Sequence, residues 1–279
     1  MTVLTIASLT LQEASRRKVL RSLAVLTVLL LGLSAWGFTR IDATFGGLTS
    51  GESRLAAATV LNLVMFGLSL ISALGTAFLA GPTLAGEIES GIALAMMTRP
   101  VRRSAVLVGK WLGLVAFGSG FVAVAGLAQL LIVRTTVGYW PPQPFLGLAL
   151  LAAQTAALLT LGLLLSTVIS PMASGIVSVG LFGATWIAGV VGAVGEVLGN
   201  ASLAQVGTVS KMLLPTDGLW RGAMHAFQDP TLLSQFSEAF EGHPFLSQTG
   251  LTPAYVAWAA IWTAVVLSLS ALAFHRRDL

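Results

Sequence analysis

Only 9% of the 279 residues are charged (15 Lys+Arg and 11 Asp+Glu), while 56% are hydrophobic and the mean hydropathy is +0.88. A soluble domain carries roughly a quarter charged residues and needs a polar skin, so a soluble enzyme, a nucleic-acid-binding domain and a disordered chain are excluded. The composition is that of an integral membrane protein; the net charge of +4 reflects basic residues placed for membrane topology, with nucleic acid as no partner. The absence of cysteine excludes disulfides, thiolate metal sites and cysteine nucleophiles, and leaves the redox compartment open.

Residues 1–21 place Leu4, Ala7 and Leu11 at helical spacing ahead of Glu13, Arg16 and Arg17. They predict an interfacial helix whose basic residues meet anionic headgroups, with a frayed tail as the alternative. A bilayer core takes about 20 apolar residues per helix. Uncharged stretches then give six spans, at about 22–39, 58–81, 111–133, 146–168, 173–195 and 254–274. The long uncharged run after Arg134 is divided by Pro141, Pro142 and Pro144 and then by Pro171. Ser15-Arg16-Arg17-Lys18 resembles a twin-arginine export signal, but the apolar run behind it has span length and ends in Trp36-Gly37-Phe38, as an anchored helix does.

Lysine and arginine in short loops set orientation. One side holds Arg16, Arg17, Lys18, Arg21, Arg99, Arg102, Arg103, Lys110, Arg276 and Arg277, and the other only Arg40, Arg54, Arg134, Lys211 and Arg221. The first side, with both termini, is predicted cytoplasmic.

Between spans two and three, residues 82–109 bring Glu87, Glu89, Arg99, Arg102 and Arg103 together around Pro100. Acids and bases in one compact loop suggest a surface shaped for a protein partner; the alternative is an ordinary basic loop. Residues 196–253 are the long external segment. Pro215-Thr216-Asp217 offers a cap for a helix over 218–227, and Asp229 with Pro230 starts another, ended by Gly242. On that second helix Leu232, Leu233, Phe236 and Phe240 share a face suited to the membrane surface.

No span interior holds Asp, Glu, Lys, Arg or His, which removes the usual mark of a proton- or ion-coupled carrier. Asn62, Gln129 and Gln154 are the notable polar residues within spans, either bonding between helices or lining a cavity. Gly118, Gly120, Gly162, Gly180 and Gly183 fit close helix packing. Val108-Gly109-Lys110-Trp111 is not a P-loop, so the chain has no such means of binding ATP. Ser174 has no histidine within a span to make it a nucleophile, and Met212, Met224, His225 and His243 match no metal-ligand spacing.

The order of these features, with Gly86-Glu87-Ile88-Glu89-Ser90-Gly91, Thr98-Arg99-Pro100-Val101-Arg102-Arg103 and Gly109-Lys110-Trp111 in the loop, resembles ABC-2-type permeases. Leu9 to Arg17 and Leu214 to Arg221 are similar to the branch known as permeases for multi-copper enzyme maturation. The resemblance implies an all-α membrane domain covering the whole chain, in a bacterial or archaeal plasma membrane. It also implies a second permease, the same or homologous, and two copies of a cytoplasmic ABC ATPase subunit. ATP and Mg would belong to that ATPase, with no cofactor and no catalytic residue in this chain. Glu87, Glu89, Gly91, Arg99, Pro100, Arg102, Arg103 and Lys110 would form the coupling element. Short helices between spans five and six would re-enter or cover the outer leaflet. An uncharged cavity would favour a hydrophobic or lipid-like cargo, exported, moved by rigid-body shifts of two bundles among membrane lipids. The copper label finds no cysteine or Met-rich cluster to hold that metal. The alternative class is a standalone channel, carrier or membrane scaffold needing no ATPase.

Overall fold

Proline and glycine punctuation sets most helix boundaries in the computed structural model, which describes residues 2–17, 19–45, 51–86, 102–231, 243–247 and 249–276. Pro144, Pro171 and Pro253 each stand first in a helix, where a missing N–H leaves nothing unpaired. Gly138, with φ 70°, turns the chain out of its helix while its N–H donates to Arg134 O at 3.1 Å. Asn200 follows the left-handed Gly199 and caps the next helix by accepting from the Ser202 and Leu203 N–H groups.

The described residues form nine α-helices: α1 (Thr2–Arg16), α2 (Val19–Phe45), α3 (Gly51–Gly81), α4 (Arg103–Val137), α5 (Pro144–Ser166), α6 (Pro171–Val197), α7 (Ala201–Leu213), α8 (Thr216–Phe227) and α9 (Pro253–Arg276). A π-helical turn, Pro82–Gly86, continues α3. No strand occurs among the described residues. Six helices, α2 to α6 and α9, are long and apolar enough to cross a bilayer, with mean hydropathy of 1.9 to 2.1 in their most apolar stretches. The chain is an all-α integral membrane protein. Several helices outrun the apolar segments read from sequence. α4 begins at Arg103 and contains Lys110, because helical hydrogen bonding continues past the point where burial in lipid must end.

Burial separates centre from rim. In α3 and α5, 67% and 61% of the apolar window is buried, against 17% in α2 and α9, so the two former helices form the centre. One core cluster, including Leu79, Leu107, Leu114, Leu159, Leu163 and Phe274, lies towards the end of the bundle that carries both termini. A larger one, including Phe38, Leu61, Met65, Leu130, Trp220 and Phe227, fills the opposite end.

α1 lies across α4, where Gly109 and Gly113, four residues apart, leave a trough. A Cβ on Gly109 would come within 2.8 Å of Ile6 Cβ, and one on Gly113 within 2.6 Å of Ala7 O. The trough takes the Ile6 and Thr10 side of α1, leaving Leu4 73% exposed and Leu11 39%. Small-residue packing is also redistributed. Gly118 and Gly162 meet Thr155 and Ala80 as expected, but Gly120, Gly180 and Gly183 have nothing within 4 Å. Two helices also meet closely at Gly192 of α6 and Gly207 of α7, where a Cβ on Gly192 would stand 2.6 Å from the Gly207 Cα.

Candidate functional site

At the termini end, the segment joining α3 to α4 is pinned at both roots. Arg102 precedes α4 in extended conformation and is exposed. Arg103 Nη1 donates to His275 O at 3.2 Å, tying α4 to the last turn of α9. Lys110 points inward; it is 4% exposed and its Nζ donates to Thr83 O at 2.8 Å. A desolvated ammonium needs such partners, and a carbonyl just past the C-terminus of α3 is a favourable one. The Thr83 hydroxyl donates to Leu79 O. Beneath this root Gly81 packs so tightly on Pro171 O of α6 that no side chain could replace its hydrogen. Of the predicted coupling residues the structure brings Arg103 and Lys110 to this anchorage. Glu87, Glu89, Gly91, Arg99 and Pro100 lie outside the described residues, as do Leu232, Leu233, Phe236 and Phe240.

The polar residues of the spans tie helices together. Gln154 Oε1 accepts from Ser69 Oγ at 2.9 Å, and Ser72 and Thr155 share a hydrogen bond of 2.9 Å, so two rungs join α3 to α5. Gln129 Nε2 donates to Ser34 Oγ at 2.7 Å, joining α4 to α2. Asn62 Nδ2 donates to Phe245 O at 2.9 Å. None of the three lines either large groove of the bundle. One groove, about 640 Å³, runs between α6, α7 and α9 beside Leu181, Val206, Val209 and Trp262. The other, about 510 Å³, runs between α1, α2 and α4.

At the opposite end α8 is drawn in among the spans. Leu219, Trp220, Ala223, Met224 and Phe227 are each at most 1% exposed. The Phe227 ring occupies the space a side chain would need at Gly147, and the Tyr255 ring does the same at Gly218. Tyr139 donates its hydroxyl to Phe227 O at 2.7 Å, and the Gln143 N–H donates to Ala226 O at 3.1 Å. Burial pushes the Tyr139 hydroxyl above its ordinary range, keeping it a donor. Phe66 gathers Trp186, Trp220 and Phe245 at centroid distances of 4.8, 5.4 and 5.7 Å. Gln228 holds the segment 243–247 by donating to Phe245 O and accepting from the Ser247 N–H, both at 3.1 Å.

Asp217 carries a correction. Pro215 is the N-cap residue and Asp217 stands inside the first turn of α8, with its carboxylate against Gly189 of α6. Oδ2 accepts from Arg221 Nε at 2.9 Å, whereas Oδ1 is buried without a donor among the described residues. Burial lifts this carboxyl above the usual carboxylate range, against the opposing pull of Arg221. Burial likewise lowers Lys211, as does the nearby Arg221 charge. The bundle therefore holds a buried ion pair that sequence reading missed, because Thr-Asp before an amphipathic stretch looks like a cap. α7 was missed too; Gly199-Asn200 was the available signal. Met212 is 47% exposed while Met224 is fully buried, and His225 Nδ1 pairs with Ser247 O. No group of three His, Cys, Asp or Glu able to hold a metal occurs among the described residues.

In an alignment 143 positions long that covers 45% of this chain, the sequence is 32% identical to the Pseudomonas aeruginosa protein named "Probable ABC transporter permease protein NosY". The aligned stretch spans 46% of that relative. A family model described as "ABC-2 family transporter protein" matches residues 4–279, and with the six apolar helices this places the chain in the ABC-2 transporter family.

Proposed function

We propose that this chain is the membrane-spanning permease subunit of an ABC transporter, working as a pair with a second permease, the same or homologous. ATP hydrolysed with Mg by two copies of a separate cytoplasmic ATPase would drive it. Family membership and the lack of a P-loop support this division of labour. The observation that carries it is the double anchorage of the segment between α3 and α4. With Lys110 holding Thr83 O and Arg103 holding His275 O, a push on that segment moves α3, α4 and α9 together. α4 then runs as one rod of 35 residues, about 52 Å long, to the turn where Tyr139 holds α8. An ATPase closing on residues 82–103 would thus move the inserted α8 at the far end, changing access to a cavity between two bundles. The apolar groove between α6, α7 and α9 favours a hydrophobic or lipid-like cargo, exported across a plasma membrane with both termini cytoplasmic.

The test is Glu87→Lys with Glu89→Lys. Losing one side of a docked charge pair weakens binding by about 2–5 kcal/mol when buried and by much less at a rim. Extra basic charge on this side leaves insertion intact. The double variant should insert and fold normally yet lose its co-purifying ATPase, or keep it with hydrolysis uncoupled from cargo. Unchanged ATPase recovery and unchanged cargo-stimulated hydrolysis would remove the coupling role. Transport by the wild type in liposomes lacking any ATPase would point instead to a standalone pore.

A further inference from the structure

Gly120 raises a question that helix packing does not answer. A Cβ there would meet nothing within 4 Å, yet the residue sits midway along α4. It lies on the floor of the 510 Å³ groove between α1, α2 and α4, beside Phe117, Phe121 and Val124, with Leu11 and Val28 on the walls. Thr27 is the groove's polar lining residue, and its hydroxyl is already committed to Leu23 O at 2.7 Å. The groove therefore offers hydrocarbon contact and no hydrogen bond. Along α4 its lining runs from Ala116 to Ala128, about 18 Å, close to the half-thickness of a bilayer's apolar core.

Charge stands at one end only. Arg21 shares the α2 face that carries Ala24, Val28 and Leu31, one turn nearer the termini end. Arg21 is exposed and has no ion pair among the described residues, whereas Arg17 is held by Glu13 at 2.6 Å. An uncommitted cation at the mouth of an apolar groove one leaflet deep matches a molecule with an anionic head and a hydrocarbon tail. We infer that this groove binds an anionic phospholipid of the leaflet facing the termini, one acyl chain over Gly120 and the phosphate at Arg21. The lipid would brace α1 against α2 and α4. This site is independent of the ATPase and of the cargo.

Purified, delipidated protein titrated with phosphatidylglycerol or with phosphatidylcholine of identical chains tests it, read by native mass spectrometry and by Tm. Phosphatidylglycerol should form a one-to-one adduct, bind more tightly than phosphatidylcholine and raise Tm. Soluble glycerol phosphate should do neither. Arg21→Gln should weaken phosphatidylglycerol about fivefold and leave phosphatidylcholine unchanged, since one arginine near a headgroup is worth about 1 kcal/mol. Gly120→Leu should keep the lipid-free Tm and lose both adducts. Val124→Gln, at a position 72% exposed, should give the same loss without relying on the glycine. Equal binding of the two lipids, or full binding by both groove variants, overturns the inference. So does a Gly120→Leu protein that loses self-association while keeping its lipid, since the groove would then be covered by a second copy of the chain.

Discussion

Asp217 shows how much one carboxylate's surroundings decide. Its side chain is fully buried, its partner Arg221 is 16% exposed, and Gly189 leaves no room for a larger residue. Breaking a buried pair ordinarily costs about 3–5 kcal/mol. Here burial outweighs the arginine and raises the folded-state carboxyl above its unfolded value. An acid raised in this way is most compatible with the fold when protonated, so its contribution is present below the unfolded value near 3.8 and is lost as pH rises through the folded one. Asp217→Asn removes the titration while preserving shape. The Tm of wild type relative to this variant should fall as pH rises from about 4 towards neutral, then level off. A difference that stays flat with pH would show that Asp217 does not titrate in the fold. Sequence reading could not foresee this, because Thr216-Asp217 carries the same letters as a solvent-exposed cap. For Gln154 and Gln129 it offered interhelical bonding beside cavity lining, and both side chains bond between helices.

Among elements, those with explicit punctuation were the legible ones. Pro144, Pro171 and Pro253 mark helix starts directly. α7 escaped because its thirteen residues alternate small, polar and apolar types around Gly207, and its docking on α6 depends on a glycine contact that no periodicity announces. The same holds for α1, whose packed face was set by two glycines on another helix. Its docking is open to test. Gly113→Leu would drive a side chain into Ala7 O and Thr10, and such overpacking costs about 1–3 kcal/mol. We expect α1 to lift away from α4 and trypsin to cleave after Arg16 and Arg17 several-fold faster, with the rest of the bundle intact. Wild-type cleavage kinetics in that variant would mean that α1 is held by something other than this trough.

For the whole molecule, hydropathy was enough to find six membrane-crossing helices, because lipid imposes a length and a composition that few other environments share. It could not rank them: α3 and α5 read much like α2 and α9, yet the first two are the buried centre. The asymmetry of lysine and arginine predicts that a reporter fused after Leu279 and one inserted at Gly242 lie on opposite sides of the membrane. Both on one side would break the six-span arrangement.

The rungs between α3 and α5 have a consequence during synthesis. Ser69 and Gln154 are 85 residues apart in sequence, and Ser72 and Thr155 are 83 apart. A ribosome adding about 5–20 residues per second needs roughly 4–17 s to cover that interval. Over that time α3 has already emerged, while the helix that will accept its hydroxyls does not yet exist. Its serines can bond back to their own helix meanwhile, as Thr76 does with Ala73 O. α2, with little to bury and Trp36 and Arg40 stacked 5.5 Å apart near its far end, can settle in lipid alone. Until α5 emerges, the partners that Ser69 and Ser72 of α3 have in the finished bundle do not yet exist.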